Sequence, residues 1–365
     1  MIIRLGAVTR SGVRLTAVVA LTLVFFVGLA PLSFAQQQAD KQAGAPDDPT
    51  ARPPAPSNLL AGLAAQHRSL RALVVARADC IAFEYYRRDI SAETQSHLYS
   101  VTKSVLSILV GIAVDEGLLR LDEKLSEIFP EEFDENVDPL AREITVRDVL
   151  TKTEGFAEIG GSFKGIAAVA GKSQVWRWMI DRKVEFPRGS HFRYDNVGSD
   201  LLSVVLSRAI KQNAADFAKQ KLLDPLNITN YTWYADSDGY LHGEIGLNLT
   251  TRDMAKIGML YLQRGRWDGK RIVSDAYVQD STTRHNDGGP PVKAAYGYQW
   301  WVSTNNTGAF FAAGLKGQRI YVVPKQNLVV AVSADSSPWG SQRYFNDVVL
   351  PAAAELAGSA PCLAQ

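Results

Sequence analysis

Short apolar runs typical of β-strands stand toward both ends of the chain, and helical patterns lie between them. Residues 72–77 and 80–86 flank a short turn and predict an antiparallel hairpin. Four further runs of β type follow Tyr296, at residues 297–302, 309–313, 319–323 and 327–332. A helical pattern over residues 346–357 comes after them.

The stretch between these two groups of strands is mostly helical. Residues 100–116 carry apolar side chains on nearly every face, so we predict a helix that is buried almost all round. Residues 144–286 combine helices and loops, and two stretches, 155–171 and 284–293, are rich in loop-forming residues.

This order of elements predicts an α/β (α+β) fold. One antiparallel sheet is built from both chain ends and flanked by helices, and a mostly helical lobe is inserted into it. We expect a sheet lobe at about residues 58–120 and 290–365 and a helical lobe at about 121–289. A small-molecule site is expected in the cleft between the two lobes.

The first residues have the pattern of a secretory signal peptide. Three arginines precede an apolar run at 15–32, and a small-x-small site ends at Ala35. A retained membrane anchor is the alternative, because the run is nearly long enough to span a bilayer. We expect a signal peptide at 1–35, a flexible linker at 36–57 and a folded domain at 58–365. The mature protein is then secreted or periplasmic, without stable membrane insertion.

The composition is that of a globular protein. Hydrophobic residues make up 46% of the chain and charged residues 21%, which excludes an intrinsically disordered chain. The 39 basic and 38 acidic residues nearly cancel, so the bulk charge argues against nucleic acid as a partner. The expected partner is a small molecule, and the sequence leaves the oligomeric state open.

The chain has two cysteines, Cys80 and Cys362. In an oxidising compartment the two can form a disulfide, and two separate buried thiols are the alternative. Because spacing along the chain does not say which thiols meet, the sequence leaves both alternatives open.

Several common hydrolytic and metal-binding motifs are absent from the sequence. It has no G-x-S-x-G, no H-E-x-x-H and no C-x-x-C, and its five histidines have no metal-ligand spacing. An H-x-E at His242 and Glu244 lacks the P-C-x-x-C partner of zinc deaminases. We therefore expect neither a metal nor a cofactor.

The sequence contains one S-x-x-K motif, at Ser100 and Lys103, where the long apolar helix begins. Three residues apart on a helix, the two side chains share a face. Burial lowers the pKa of a lysine, and a neutral lysine is a base that can take a proton from a serine. The helix start also offers free backbone N–H groups to a developing oxyanion. The alternative is a lysine whose ammonium group reaches solvent along the helix surface.

Two further segments carry polar side chains suited to the same chemistry. Tyr194-Asp195-Asn196 follows a Pro/Gly turn, so that a phenol and a carboxamide two residues apart point the same way, with Asp195 facing away. The phenol can transfer a proton, and the amide can bind an acyl amide. Residues 314–319 place Lys316 beside small residues next to a predicted strand edge, whose N–H could complete an oxyanion hole.

In this order, the three motifs resemble those of the penicillin-recognising serine hydrolases. That family includes class C β-lactamases, their esterase relatives and D-alanyl-D-alanine peptidases. Similar stretches occur at 98–104, 144–156, 251–258 and 296–301, and the resemblance covers roughly residues 65–355. The segment from Gly314 to Pro324 is most similar to the branch of 6-aminohexanoate-oligomer (nylon-dimer) hydrolases and esterases.

The resemblance implies a role for each matching residue. Ser100 would be the acylated nucleophile, Lys103 its base and Tyr194 the general acid/base. Backbone N–H groups of Ser100 and near Arg319 would form the oxyanion hole. The residues implied in substrate binding are Asn196, Lys316, Gly317, Gln318 and Arg319.

The sequence departs from the family pattern at Asp195, Glu154 and the Lys316-Gly317-Gln318 segment. These departures count against penicillin turnover but not against acyl transfer. We therefore expect an exported serine hydrolase, a carboxylesterase or amidase, that cleaves ester or amide bonds through a Ser100 acyl-enzyme. The alternatives are a β-lactamase or D-alanyl-D-alanine carboxypeptidase, and a catalytically silent ligand-binding homologue.

Overall fold

The central antiparallel sheet has eight strands, which come from both ends of the chain as the apolar pattern predicts. The computed structural model describes residues 56–78, 80–158, 175–305, 307–337, 345–359 and 361–363. The chain divides into two units, Met1–Pro53 and Pro54–Gln365, and every described residue belongs to the second. The expected signal peptide lies outside the described residues, and the proposed domain limits stay predictions.

The strands of the central sheet are arranged in the order β2-β1-β13-β12-β11-β10-β9-β8, and each neighbouring pair is antiparallel. Their bounds are β1 Leu70–Ala76, β2 Ile81–Tyr86, β8 Asn286–Gly289, β9 Ala294–Tyr296, β10 Trp301–Val302, β11 Phe310–Ala313, β12 Arg319–Val323 and β13 Leu328–Ala334. This topology confirms the predicted fold class, with one sheet built from both chain ends.

Strand β13 lies between β1 and β12 and is covered on both faces. Val332 pairs with Leu73 of β1 and with Arg319 of β12. All seven residues of β13 are buried, which explains why its sequence is a continuous apolar run and not an alternating one. One face of the sheet contributes to the main helical core, and the other packs with the terminal helices.

The helices flank the sheet and fill the insertion between its two groups of strands. Their bounds are α1 Pro56–Gln66, α2 Val101–Asp115, α3 Leu125–Ile128, α4 Val146–Thr151, α5 Val175–Ile180, α6 Asn196–Ile210, α7 Ala214–Ala218, α8 Thr251–Leu262, α9 Asp275–Ser281 and α10 Leu350–Ser359. Short 3-10 turns at Pro139–Glu143, Leu315–Gly317 and Pro324–Gln326 and π-helical turns at Lys219–Leu223 and Phe345–Val349 complete the described elements. Among the described helices, none is long and apolar enough to cross a membrane.

Helix α2 is the centre of the main core. Its first thirteen residues, Val101–Ala113, are all buried, as the apolar pattern predicts. Gly111 allows the ring of Tyr277 to pack directly on the helix, because a Cβ there would lie 2.4 Å from the ring. The predicted helix at 100–116 is therefore confirmed, with Ser100 as its N-cap residue and not its first turn.

The inserted region contains short strands that the pattern does not predict. Strands β3 Gln95–His97, β4 Tyr231–Trp233 and β5 Leu247–Thr250 form a small sheet, and β6 Arg266–Trp267 pairs with β7 Lys270–Arg271. With two to four residues each, these strands are too short for an alternating pattern to emerge. Strand β8 likewise lies inside the predicted loop 284–293, whereas most of the loop-rich stretch 155–171 lies outside the described residues.

The predicted strand at 297–302 is mostly wrong. Only Trp301 and Val302 form β10, because the preceding residues turn. The N–H of Gly297 donates to the carbonyl of Trp300 (2.8 Å), and Gln299 adopts a left-handed φ of 61°. The N–H of Gln299 donates to the carbonyl of Leu150 (3.1 Å), so this turn is held by helix α4.

A disulfide joins Cys80 to Cys362, 282 residues apart, with a Cα–Cα distance of 5.5 Å. Of the two alternatives left open by the sequence, the structure therefore has the disulfide. Next to it, the N–H of Leu363 donates to the carbonyl of Ile81 (2.9 Å), so the end of the described chain is attached to β2. The bridge links the first hairpin of the sheet to the segment after α10.

We expect the disulfide to stabilise the folded protein, because it closes a very long loop in the unfolded chain. The unreduced, denatured protein should contain no titratable thiol. The double variant Cys80→Ala/Cys362→Ala should lose about 2–5 kcal/mol of unfolding free energy in denaturant titrations. Reduced wild type is the control and should match the variant. Two titratable thiols before reduction would contradict this bridge.

Candidate active site

Ser100 stands where β3 ends and α2 begins. Its neighbour Tyr99 has a left-handed φ of 49°, which turns the chain sharply into the helix. As the N-cap residue, Ser100 makes no capping hydrogen bond with its side chain. Its hydroxyl is therefore not used by the helix, and the first backbone N–H groups of α2 lie beside it.

Lys103 lies one turn into α2 and is only 1% exposed. Its Nζ donates to Ser100 Oγ (3.1 Å) and to the backbone carbonyl of Glu244 (3.0 Å). Burial lowers the pKa of Lys103 to about 8, although the nearby carboxylates of Glu244, Asp200 and Asp195 favour its charged form. The ammonium group does not reach solvent, so the alternative of a solvent-facing lysine is excluded.

Tyr194 lies close to both Ser100 and Lys103. The Ser100 hydroxyl forms a hydrogen bond with the phenol, and Lys103 Nζ lies 5.2 Å from the centre of its ring. Trp301 stacks on the ring with a centroid distance of 5.5 Å, which fixes the plane of the phenol. Burial raises the pKa of Tyr194, while the Ser100 hydrogen bond and the charge of Lys152 act in the opposite direction.

Asp195 begins helix α6 and is fully engaged by protein groups. One oxygen accepts from the N–H of Val197 (2.9 Å), and the other accepts from Arg182 Nη1 (2.7 Å). Burial opposes ionisation, but the Arg182 guanidinium and then Lys152 hold the pKa of Asp195 below its usual value. The carboxylate beside the phenol is therefore a helix cap and half of a buried ion pair.

Asn196 is the first residue of α6 and only 4% exposed. Within the part of the chain that the structure describes, its Oδ1 has no hydrogen-bond partner. A buried polar atom without a partner is costly, and a bound ligand can supply the missing bond. This placement is consistent with the predicted contact between Asn196 and substrate.

The turn between β11 and β12 approaches the backbone just before Ser100. A Cβ on Gly314 would lie 2.3 Å from the carbonyl oxygen of Leu98, so this approach requires glycine. Lys316 has a left-handed φ of 63°, and its exposed ammonium group lies 5.7 Å from the ring centre of Tyr99. The structure thus brings the third sequence motif next to the first.

Gln318 and Arg319 follow this turn, and their side chains form hydrogen bonds with the protein backbone. The Gln318 side chain donates to the carbonyl of Ala334 (2.6 Å) and accepts from its N–H (3.3 Å), which ties the turn to β13. Arg319 Nη1 donates to the carbonyls of Gly314 (3.3 Å) and Gln318 (3.0 Å). The charge of Arg319 nevertheless lies close enough to lower the pKa of Tyr194. The substrate contacts of Gln318, Arg319 and the buried Gly317 stay predictions.

Beneath these residues lies a group of buried charges that the sequence motifs do not include. Burial raises the pKa of Glu154 and of Glu244 to about 8 and that of Asp200 to about 7. Asp200 Oδ1 accepts from the N–H groups of Gly243 (2.8 Å) and Glu244 (3.2 Å), which holds the Glu244 carbonyl against Lys103. The sequence signal for Glu244 is the isolated H-x-E motif. In the structure, Glu244 contacts Lys103 through its backbone carbonyl.

Lys152 is the second buried lysine of the site, and it was not singled out by the sequence motifs. It is fully buried, and its Nζ donates to the carbonyl of Asp195 and to Ser199 Oγ, both at 2.6 Å. Burial lowers its pKa, with Glu154 acting in the opposite direction. The available signal is the pair of opposite charges at Lys152 and Glu154, two residues apart.

No cluster of three or more His, Cys, Asp or Glu side chains in the described ranges is arranged to hold a metal ion. The site instead combines a hydroxyl, a lysine of lowered pKa and a phenol in mutual contact. A neutral Lys103 can accept the Ser100 proton, and Tyr194 is placed to exchange a proton with a group bound at Ser100. This arrangement can activate a serine nucleophile.

Comparison with known proteins identifies the family from the sequence. The profile of the family described as Beta-lactamase matches residues 56–354. The chain is 23% identical over 294 residues to the 6-aminohexanoate-dimer hydrolase of Paenarthrobacter ureafaciens, which covers 75% of this chain and 74% of that protein.

Two solved structures illustrate the likeness of fold. A Bacillus anthracis protein, described provisionally as a 6-aminohexanoate-dimer hydrolase, superimposes with a TM-score of 0.68 at 18% identity, over 81% of this chain and 80% of that chain. EstCE1, a hydrolase with promiscuous acyltransferase activity, gives a TM-score of 0.65 at 15% identity, over 89% of this chain and 100% of that one. At such identities the likeness establishes the fold alone.

The buried position of Lys103 predicts how the reactivity of Ser100 depends on pH. Because only the neutral amine can take a proton, covalent labelling of Ser100 by a fluorophosphonate should accelerate as pH rises through about 8 and level off above it. Lys103→Arg stays protonated and should slow labelling by about 10²–10⁴-fold. Labelling rates are measured by intact-mass spectrometry with site mapping, and Lys219→Arg, on the exposed surface, is the control. Near-normal labelling of Lys103→Arg would contradict a base at this position.

Proposed function

Since the chain belongs to the β-lactamase family, whose members include hydrolases, we propose that it is a serine hydrolase that cleaves small ester or amide substrates through a Ser100 acyl-enzyme. The observation that carries this proposal is the hydrogen bond from Lys103 Nζ to Ser100 Oγ, with the Tyr194 phenol bonded to the same hydroxyl. The nucleophile, its base and a second proton-transfer group are in contact without any rearrangement.

In the proposed acylation step, neutral Lys103 takes the proton of Ser100 as Oγ attacks the carbonyl carbon. The resulting oxyanion accepts hydrogen bonds from the backbone N–H of Ser100 and from one near Arg319. Tyr194 donates its proton to the leaving alcohol or amine, and the C–O or C–N bond breaks. Water then attacks the acyl-enzyme by the reverse proton path, which releases the acid and regenerates Ser100.

The leaving group and acyl chain would lie against polar and aromatic walls of the site. The free Oδ1 of Asn196 can accept from a substrate N–H, which favours an amide or a hydroxylated ester in that position. The Tyr194 ring stacks on Trp301, and Phe192 and Tyr296 complete this aromatic group. Relatives named as a 6-aminohexanoate-dimer hydrolase and as the hydrolase EstCE1 support a substrate range of amides and esters.

A β-lactamase or D-alanyl-D-alanine carboxypeptidase remains the alternative within the family. The sequence departs from the family pattern at Gln318, and both ends of its amide are bonded to Ala334, so this side chain is not free to bind a substrate, which counts against penicillin turnover. A silent ligand-binding homologue is disfavoured, because a buried lysine of lowered pKa against a serine is costly to keep without a catalytic use.

We propose that the protein acts outside the cytoplasm. The Cys80–Cys362 disulfide supports this, because such bridges persist in oxidising compartments. The pattern of residues 1–35 as a cleavable signal peptide is the second argument, and it concerns residues beyond the described ranges.

Replacing the nucleophile tests the proposal directly. Ser100→Ala should lower hydrolysis of a p-nitrophenyl butyrate ester by at least about 10³-fold and remove fluorophosphonate labelling, because the variant lacks the hydroxyl on which the proposed acyl-enzyme forms. Ser207→Ala, whose hydroxyl donates to the carbonyl of Ser203 within α6, is the matched control and should keep full activity. Assays with a chromogenic cephalosporin separate the two candidate functions. Comparable ester turnover by Ser100→Ala would refute the proposed site.

The position of Lys316 predicts a preference for substrates that carry a carboxylate. Its exposed ammonium group near Tyr99 can form a charge-assisted hydrogen bond, worth about 10-fold or more in kcat/KM. Carboxylate-bearing esters should therefore react faster than neutral esters of equal length, and added salt should shrink the difference. Lys316→Ala should remove most of this preference but spare neutral esters, while the exposed Lys270→Ala should change neither. A wild type that prefers neutral esters would show Lys316 to be an ordinary surface residue.

A further inference from the structure

Lys152 occupies an unusual place for a lysine. It ends helix α4 in a left-handed conformation, with φ 61° and ψ 39°, and its side chain is directed into the protein with no exposed surface. A buried ammonium group is costly unless several groups bind it. Its contacts should therefore show what the residue is held there to do.

The contacts of Lys152 lie on both sides of Tyr194. Its backbone carbonyl accepts from the N–H of Arg193 (2.9 Å), the residue before the tyrosine. Its Nζ donates to the carbonyl of Asp195 (2.6 Å), the residue after it. One lysine thus holds the main chain at the two positions that flank the proposed acid/base.

A third contact fixes the lysine itself. Its Nζ also donates to Ser199 Oγ (2.6 Å), and that hydroxyl donates to Gln299 Oε1 (3.3 Å). The N–H of Gln299 in turn donates to the carbonyl of Leu150. These bonds connect three segments, namely the end of α4, the first turns of α6 and the turn before β10. Lys152 therefore binds the Tyr194 segment while it is itself fixed by hydrogen bonds within the core.

The neighbouring charges make this contact more than a backbone tie. Lys152 faces Glu154, Lys103, Asp195 and Tyr194, and its charge lowers the pKa of Tyr194. The Arg182 guanidinium binds the Asp195 carboxylate, so the side chain of Asp195 is held by one cation and its carbonyl by the other. Both contacts keep Asp195, and with it the backbone next to Tyr194, in place.

We propose that Lys152 is a positioning residue for Tyr194, which holds the phenol at the Ser100 hydroxyl by binding the main chain at Arg193 and Asp195. This inference rests on the proposed function, because it assigns Lys152 to the proton-transfer step of the same site. Lys152 itself does not touch the reacting atoms. Its loss should therefore slow the chemical step without weakening substrate binding, since a small displacement of a catalytic group costs up to about 10²-fold in rate.

The test compares ester hydrolysis by variants of the full chain. Lys152→Met keeps the length of the side chain but removes its charge and its hydrogen bonds, and we expect kcat to fall by about 10–100-fold with KM changed by less than about 3-fold. Lys152→Arg keeps the charge and the donors and should recover most of kcat. Lys211→Met is the matched control, because Lys211 also ends a helix (α6) in a left-handed conformation but is exposed.

Lys152→Met removes one cation near Glu154 and leaves Arg182, so the double variant Lys152→Met/Glu154→Gln is measured beside Glu154→Gln. Thermal unfolding and circular dichroism verify that each variant is folded. The same loss of kcat is expected in this second background. A folded Met variant with wild-type kcat, a loss confined to KM, or an Arg variant as impaired as the Met variant despite a normal fold would overturn the inference.

Failure of the inference is distinguishable from failure of the proposed function. If wild type neither hydrolyses the ester nor is labelled at Ser100, the proposed function is wrong and the role of Lys152 falls with it. If wild type is active and labelled at Ser100 while Lys152→Met is unimpaired, only the role of Lys152 is wrong.

Discussion

The burial of Lys103 is the constraint on which the rest of the site depends. A lysine in the first turn of an all-buried helix loses the hydration of its charge, and this desolvation brings its pKa down to about 8. The loss is offset by the carbonyl of Glu244 and by carboxylates at Asp200 and Glu244, which themselves become harder to ionise in the same apolar surroundings. Because each of these groups perturbs the others, they titrate together and not as independent side chains.

Close packing of backbones brings the motif-bearing segments together around that lysine. Gly314 permits the β11–β12 turn to touch the backbone at Leu98, and Gly198 leaves room for the Glu154 carboxylate, which would lie 2.4 Å from a Cβ there. Gln318 then ties the same turn to β13 through both ends of its amide. Small residues at these positions let rigid elements, and not flexible side chains, set the distances in the site.

The sheet supplies the rigid support for this arrangement. Strand β13 is covered on both faces, and β1 and β12 flank it, so the segment after Gly314, which leads into β12, is fixed to a buried strand. The disulfide from Cys80 to Cys362 connects the outer hairpin of this sheet to the end of the described chain. The fold therefore brings the turn at Gly314 and Lys316 next to the residues just before Ser100, although the two segments are far apart in the chain.

Strands, helices and short motifs that follow a local pattern can be predicted from the sequence alone. Continuous apolar runs identified the strands β1, β11, β12 and β13 and the buried helix α2, because burial on both faces or all round leaves a signal within a few residues. The sequence also indicated Ser100 with Lys103 and the Tyr194–Asn196 segment, since their chemistry is encoded in short spacings.

Features that depend on contacts between distant residues are visible only in the folded chain. The tertiary structure confined the predicted strand at 297–302 to its last two residues, because the preceding residues form a turn in which the N–H of Gln299 donates to the carbonyl of Leu150. It paired Cys80 with Cys362, engaged the Gln318 amide with Ala334 and surrounded Lys103 with Asp200 and Glu244. It also brought Lys152 into contact with the main chain before and after Tyr194, which lies 42 residues further along the sequence. Each of these features is a contact between residues far apart in sequence. A local pattern of apolar and polar residues does not show which distant groups are buried together.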